Sequence, residues 1–171
     1  SLRSLSSEKS IAISFGFFER FENNIYSSNL IIDKNGKVLD IYRRVSKTWT
    51  IKNATQEYRS GNEFKTVDFM GTKLLVAICG DLWFEKNIET MNKLNPDFIL
   101  WPLYIDYTED EWLNGACEEY KEQVSKLKAP VLMVNSYMKD GAEAVGGAYL
   151  FSKGEIKNTL PLGSIGEIII H

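Results

Sequence analysis

The residues with the clearest capacity for chemistry are Cys79, Gly80 and Asp81, in the stretch LLVAICGDLWFE (residues 74–85). The apolar run before them predicts a buried β-strand, so the thiol would lie at its carboxyl end, where open α/β sheets bind ligands. Gly80 would let the backbone turn sharply, and amides in that turn could donate to the oxyanion of acyl transfer. The alternative is a buried cysteine that serves as a small hydrophobic residue.

Histidine is nearly absent, because His171, the last residue, is the single one in the chain. A catalytic cysteine or serine that uses histidine as its base needs the imidazole held in a rigid cleft. His171 is a poor candidate for that base, because chain ends are usually mobile. The same count argues against a histidine-rich metal site. If Cys79 reacts, its base must therefore be a carboxylate or a lysine. Cys117 is predicted as a core residue of a helix, and without a C-x-x-C pair a redox module is disfavoured.

The composition is that of a soluble globular protein: 171 residues, 44% apolar and 25% charged, with a net charge of −3. This length predicts one domain over residues 1–171. The interspersed charges argue against nucleic-acid or anionic-membrane partners. No apolar run approaches the roughly 20 residues of a membrane helix, and no signal peptide is recognisable, so we expect a cytoplasmic protein with reduced thiols. No phosphate-binding loop is present, and no cofactor or metal is expected.

The elements that must position Cys79 are predicted from apolar patterning and turn residues. Lys34, Asn35 and Gly36 predict a hairpin turn, because Asn-Gly accepts the positive φ angles of tight hairpins. Strands that run into helices predict a layered α/β fold. The predicted strands are 11–20 (buried), the two arms of the hairpin within 28–44, 64–69, 72–79, 96–102 (stopped by Pro102), 130–137, the arms of a hairpin at Lys153-Gly154, and 166–171. The predicted helices are 1–10, 85–94 and 108–128.

Several segments resemble the carbon–nitrogen hydrolase (nitrilase) superfamily in unbroken order: ISFGFFER, YSSNLIIDKNGKVLDIYRR, YRSGNEF, LLVAICGDLWF, DFILWP, VLMVNS and GGAYLFSKGEI. This resemblance implies an α/β fold, a four-layer αββα sandwich. It implies hydrolysis of non-peptide C–N bonds of small amides, nitriles or carbamoyl compounds through a cysteine thioester, without a cofactor. It also implies association into a homodimer or a larger homo-oligomer.

The resemblance assigns the nucleophile to Cys79 and leaves the charged partners open. The family's oxyanion lysine ends the second hairpin strand, where this chain has YRR, so its direct counterpart is Arg44, while Lys47 follows three residues later. Lys47 is slightly preferred, because an arginine fork does not replace an ammonium. Glu57 is the nearest counterpart of a second family glutamate. The alternative for Arg44 and Lys47 is an exposed basic residue at a strand end, and the alternative for Glu57 is a solvated loop carboxylate.

Further candidates for substrate contact lie near the same predicted strand ends. Trp101 and Tyr104 lie at the end of one strand, where the resemblance implies the lining of the substrate pocket, although core packing is the alternative. Asn135 and Ser136 end another strand on the edge of Cys79, provided that the strands are parallel, and could instead satisfy turn backbone. With Gly80 and Asp81 they complete the predicted substrate-binding set. Asp81 could also hold the turn locally.

The family's general-base glutamate, in a Pro-Glu pair after the first strand, has no counterpart in this sequence. The resemblance therefore leads us to expect a chain without the first strand and helix of the fold. A thiol without a base stays mostly protonated, given an ordinary pKa of about 8.5. Two hypotheses remain: a C–N hydrolase, or a non-catalytic binding or assembly subunit. An open sheet edge would favour a dimer or a higher assembly in either case.

Overall fold

The structure is a computed structural model that describes residues 1–47, 49–50, 52–138 and 144–170. Its strands form two sheets, one of three strands in the order β1-β2-β3 and one of six in the order β4 to β9. The elements are α1 (Leu2–Lys9), β1 (Ile13–Phe21), β2 (Asn24–Ile32), β3 (Val38–Arg43), β4 (Thr66–Phe69), β5 (Thr72–Val76), a 3₁₀ turn (Cys79–Trp83), α2 (Glu85–Leu94), β6 (Phe98–Leu103), α3 (Glu109–Glu111), a π-turn (Trp112–Ala116), α4 (Cys117–Ser125), β7 (Val131–Asn135), β8 (Ala148–Ser152) and β9 (Glu155–Leu160).

The predicted hairpin is confirmed by β2 and β3 and the turn between them. The Asp33 carboxylate accepts hydrogen bonds from the backbone N–H groups of Asn35 and Lys37, both at 2.9 Å. Gly36 has a φ of +79°, and a Cβ there would lie 2.6 Å from the carbonyl oxygen of Arg3. Glycine is therefore required both by the backbone angle and by the close approach of α1.

The six-stranded sheet has a parallel centre and antiparallel flanks. β5 pairs with β6 and β6 with β7 in parallel, while β4, β8 and β9 are added antiparallel. The condition on which Asn135 and Ser136 were placed at the edge of Cys79, that these strands run parallel, is therefore met. As a result, the segments that follow β5, β6 and β7 emerge at one edge of the sheet.

The core is shared by both sheets and the helices. Ile31 and Tyr42 of the three-stranded sheet belong to the same buried cluster as Leu75, Ile99 and other residues of the six-stranded sheet. On the other side of the six-stranded sheet, α2 contributes two buried residues and α4 packs against β8 and β9. The mixed α/β architecture, with sheets flanked by helices, agrees with the predicted fold class.

Four sequence-based expectations need correction. β1 is not a buried strand: Phe15, Phe18 and Phe21 are 47%, 76% and 44% exposed, because within the described residues β1 pairs only with β2 and neither of its faces is fully covered. Pro102 lies inside β6 rather than ending it. Its nitrogen faces the side of β5, whose pairing with β6 has already ended at Val76, so no ladder hydrogen bond is lost.

The other two corrections concern a strand and a helix. Residues 166–170 form no strand, and His171 lies outside the described residues. The helix predicted at 108–128 begins as expected, with the Thr108 hydroxyl accepting from the Glu111 N–H, but the π-turn divides it before α4.

No helix in the described ranges is both long and apolar enough to cross a membrane.

Candidate active site

Cys79 occupies the first position of the 3₁₀ turn that follows β5. Ile78 is still extended, whereas Cys79 has a φ of +43°, in the left-handed region. The sequence predicted that Gly80 would supply the sharp turn; instead, the left-handed residue is the cysteine itself. For an L-residue this conformation costs on the order of 1 kcal/mol, so the surrounding contacts must hold it. The thiol is half-buried and reaches a cavity.

Asp81 is one of those contacts, because its completely buried carboxylate collects three hydrogen bonds. It accepts from the Ile78 N–H at 2.8 Å, the Ser46 N–H at 2.7 Å and the Tyr42 hydroxyl at 2.6 Å. Burial, and next the Asp81 charge, raises the pKa of Tyr42 far above its ordinary value. Asp81 thus joins the cysteine turn to the end of β3. Its full burial leaves no surface for the substrate contact that we predicted.

Three carbonyl groups of the turn accept hydrogen bonds from buried or partly buried side chains. The indole Nε1–H of Trp101 donates to the Cys79 carbonyl at 2.8 Å, and the Asn87 side chain donates to the Asp81 carbonyl at 2.9 Å. The Gln123 side chain donates to the Leu82 carbonyl. Trp101 is 0% exposed and does not line the cavity, so its predicted contact with substrate is replaced by a contact with the backbone of Cys79.

A cavity of about 770 Å³ opens in front of Cys79 between the two sheets. Its walls are mainly apolar and aromatic, with three serines and one arginine as polar members. The lining residues are Gly16, Phe17, Phe18, Ser27, Ser28, Arg44, Trp49, Ile78, Cys79, Pro102, Leu103, Tyr104, Ser136 and Met138. No carboxylate belongs to this set within the part of the chain that the structure describes.

The two candidates for the oxyanion cation are placed differently. Arg44 lines the cavity together with Cys79, is 7% exposed, and donates from Nε to the Ser46 hydroxyl at 2.7 Å. Lys47 is exposed and lies outside the lining. The geometry therefore favours Arg44, against the slight preference drawn from the sequence. A chain of bonds from Asp81 through Ser46 to Arg44 links the cysteine turn to this cation.

Glu57 does not share the cavity of Cys79. It lines an adjoining cavity that is separated by the stacked rings of Phe18 and Trp49, whose centroids lie 6.1 Å apart. Its carboxylate accepts from the Thr55 hydroxyl at 3.1 Å and lies 3.7 Å from the Arg20 guanidinium. The predicted catalytic glutamate is thus a partly exposed member of a surface ion pair.

Of the remaining candidate residues, some line the cavity and others hydrogen-bond to the surrounding backbone. Tyr104 and Ser136 line the cavity, and the Ser136 hydroxyl donates to the Leu103 carbonyl at 3.0 Å. Asn135 is buried, donates to the carbonyls of Ile105 and Gly146, and accepts from the Ile105 N–H. Asn135 therefore fastens neighbouring backbone, which was the alternative to its predicted substrate contact. Gly80 is buried in the turn, and its possible role is confined to its N–H group.

Sequence reasoning missed Phe18, Trp49 and Met138 as walls of the cavity. The only available signal was their aromatic or apolar character, which does not identify a facing partner. Among the described residues, no group of three or more histidine, cysteine, aspartate or glutamate side chains is placed to hold a metal ion. Cys117 is buried, and burial followed by the Glu118 charge raises the pKa of its thiol.

Two proteins of known name are similar to this chain in sequence. Over 155 residues the chain is 26% identical to the citrullinase of Francisella tularensis, which covers 85% of this chain and 53% of that protein. It is 28% identical over 106 residues to the N-carbamoylputrescine amidase of Solanum lycopersicum, covering 61% of this chain and 35% of that protein. The chain thus spans about half the length of the citrullinase.

A solved structure is similar to this chain in fold. A variant of the amidase from Nesterenkonia sp. AN1, with acrylamide added at its active site cysteine, superposes with a TM-score of 0.76 at 16% identity, covering 94% of this chain and 63% of that one. The family model for carbon-nitrogen hydrolases matches residues 1–116, which include β1 to β6 and Cys79. The chain belongs to the carbon-nitrogen hydrolase family.

Proposed function

We propose that this chain hydrolyses the C–N bond of a small amide, nitrile or carbamoyl compound, with Cys79 as the nucleophile. The observation that carries the proposal is the half-buried thiol at the carboxyl edge of three parallel strands, in a cavity that also contains Arg44. The names of the relatives, a citrullinase and an N-carbamoylputrescine amidase, favour a carbamoyl or amide substrate among these classes.

The reaction on an amide proceeds in two steps. The sulfur of Cys79 attacks the carbonyl carbon, the C–N bond breaks, and the thiol proton leaves on the departing amine, so that a thioester remains. Water then attacks the thioester carbon and releases the carboxylic or carbamic acid together with the free thiol. The cavity of about 770 Å³ is large enough for a small molecule of this kind.

The developing negative charge on the substrate oxygen needs donors near Cys79. Arg44 brings a permanent cation into the cavity, and the N–H of Gly80 follows directly after the nucleophile. Preorganised donors of this kind stabilise an oxyanion in acyl transfer. Tyr104 and Ser136 would then contact the part of the substrate that lies beyond the scissile bond.

A second candidate function is a non-catalytic binding subunit. It is favoured by one observation: the residues described around the cavity include no aspartate or glutamate to take the thiol proton. This hypothesis predicts a folded protein that retains small amides in the cavity, with Cys79 no more reactive toward acyl compounds than a cysteine outside the site.

Acetylation by p-nitrophenyl acetate distinguishes the two functions. Site-resolved mass spectrometry follows acetyl transfer to Cys79 and to Cys117, which is buried and serves as the internal reference, while absorbance follows p-nitrophenolate. A hydrolase acetylates Cys79 first and continues to release p-nitrophenolate, and Cys79→Ala abolishes both signals. Equal, slow acetylation of both cysteines would contradict catalysis and favour the binding subunit.

We also propose that the chain associates with a second copy. Among the described residues β1 has a neighbour on one side only, and three phenylalanines of this strand are exposed. Unpaired strand edges offer backbone donors and acceptors to another chain. Light scattering coupled to size-exclusion chromatography is expected to give a dimer or a larger particle, and a monodisperse monomer would contradict this.

A further inference from the structure

Two tryptophans lie in the aromatic cluster behind the cysteine turn, and only one of them contacts the turn through a hydrogen bond. Trp101 and Trp112 both pack against Tyr120, with ring centroids 5.3 and 5.1 Å from it. Both side chains are buried, at 0% and 1% exposure. The Trp101 indole donates to the Cys79 carbonyl at 2.8 Å, whereas the Trp112 indole N–H meets no acceptor among the described residues.

The bond from Trp101 fixes a whole peptide unit and not only one oxygen atom. The peptide between Cys79 and Gly80 is planar and trans, so its N–H points opposite to its carbonyl. With the Cys79 carbonyl held by Trp101 in the core, the Gly80 N–H is directed away from Trp101. Within the described ranges, this N–H has no hydrogen-bond acceptor, so it is available to a ligand.

The same bond also restrains the unusual backbone angle of the nucleophile. Cys79 has a φ of +43°, a conformation that persists only where the surroundings hold it. On the N-terminal side the Asp81 carboxylate binds the Ile78 N–H, and on the C-terminal side the restraint is the Trp101 indole. Loss of the indole N–H would remove this restraint on the peptide plane while leaving the Asp81 contacts in place.

We propose that Trp101 is a positioning residue that holds the Cys79–Gly80 peptide so that the thiol and the Gly80 N–H face the same substrate carbonyl. This inference rests on the proposed function of Cys79 as an acyl acceptor. Trp101 does not touch the substrate; it acts through the backbone of the nucleophile. It therefore matters for reactions that form an oxyanion and not for every reaction of the thiol.

Two reactions of Cys79 separate this role from a purely structural one. Acetylation by p-nitrophenyl acetate forms an oxyanion before the C–O bond breaks, and the thiol proton leaves on p-nitrophenol. Alkylation by iodoacetamide forms a C–S bond and expels iodide without any oxyanion. Both rates are measured at Cys79 by site-resolved mass spectrometry in the wild-type chain, in Trp101→Phe and in the matched control Trp112→Phe.

We expect Trp101→Phe to slow acetylation about tenfold, because a misaligned oxyanion donor loses much of its effect. Alkylation should change by no more than about twofold, and Trp112→Phe should leave both rates within about twofold of wild type. An equal loss in both reactions, unchanged acetylation, or the same loss in Trp112→Phe would overturn the inference. Wild-type acetylation no faster at Cys79 than at Cys117 would instead refute the proposed function, and the inference with it.

If Trp101→Phe fails to fold, an isosteric replacement of Trp101 provides a second test. Benzothienylalanine at position 101 keeps the size and shape of the indole and replaces the N–H by sulfur. This variant is expected to fold and to show the same selective loss of acetylation. Failure of the isostere to fold would show that the N–H serves stability alone, and would also overturn the inference.

Discussion

Replacement of Asp81 by asparagine tests the contacts that hold the cysteine turn. Its carboxylate is completely buried and accepts from Ile78, Ser46 and Tyr42 at 2.6 to 2.8 Å. Asparagine has nearly the same shape but one acceptor oxygen. In either orientation of the amide, at least one of the two backbone N–H groups would face an NH₂ group instead of an oxygen.

The magnitude follows from this count of donors. Losing one hydrogen bond to a charged acceptor costs about 1.5–3 kcal/mol, and the bonds that remain weaken from charge-assisted to neutral. We therefore expect Asp81→Asn to lower the free energy of unfolding by about 3–5 kcal/mol. For a chain of this length that corresponds to a fall in Tm of about 6–20 °C.

Urea unfolding followed by tryptophan fluorescence measures the effect, with Asp97→Asn as the matched control. Asp97 is exposed and accepts a hydrogen bond from the Lys73 N–H at 2.8 Å, so its replacement should cost less than about 1 kcal/mol. A loss in Asp81→Asn no greater than in Asp97→Asn would refute the view that the Asp81 carboxylate holds the turn.

Three further predictions concern charge and thiol reactivity. Hydrogen bonding by Arg43 lowers the pKa of Glu19 below its ordinary value of 4.5, so its stabilising effect is complete above that pH and is lost as the pH falls through the lowered native pKa. Glu19→Gln should thus cost about 1–2 kcal/mol at pH 7 and less at pH 3, as measured by urea unfolding. Iodoacetamide at pH 8 should alkylate Cys79 before Cys117, because Cys117 is buried with a raised pKa. Lys47→Ala should leave the acetylation rate of Cys79 within about twofold, since Lys47 lies outside the cavity.

Each of these has a clear contrary result. A cost of Glu19→Gln that grows on acidification would show that the Arg43 pair is not what lowers the pKa of Glu19. Alkylation of Cys117 before Cys79 would contradict the described burial of the two thiols. A tenfold or larger loss in Lys47→Ala would restore Lys47, rather than Arg44, as the cation near the nucleophile.

The parts of the fold that were predictable depend on local chemistry or on strand direction. The turn at Asn35-Gly36 follows from residues that tolerate positive φ angles, and it appears as predicted. The clustering of Cys79 and Ser136 at one sheet edge follows from parallel strands, and both line the cavity. In these cases the information lies in the turn residues themselves or in the direction of successive strands.

The parts that were not predictable depend on partners far away in the sequence. Trp101 and Asn135 carry functional groups suited to a substrate, yet each satisfies a backbone group of the protein. Apolar patterning marked β1 as buried, but it cannot show whether another element covers the two faces of the strand. The left-handed angle falls on Cys79 rather than Gly80 because Asp81 and Trp101 hold the flanking backbone, and no local pattern encodes those contacts.

The left-handed angle of Cys79 also bears on directed evolution of this chain. Glycine adopts that angle without steric cost, whereas any L-residue carries a penalty of about 1 kcal/mol there. A selection for heat tolerance alone would therefore reward Cys79→Gly, provided that loss of the half-buried side chain costs less than the relieved strain. Stabilising libraries for this fold need an activity screen from the first round, because the substitution that relaxes the backbone also removes the thiol.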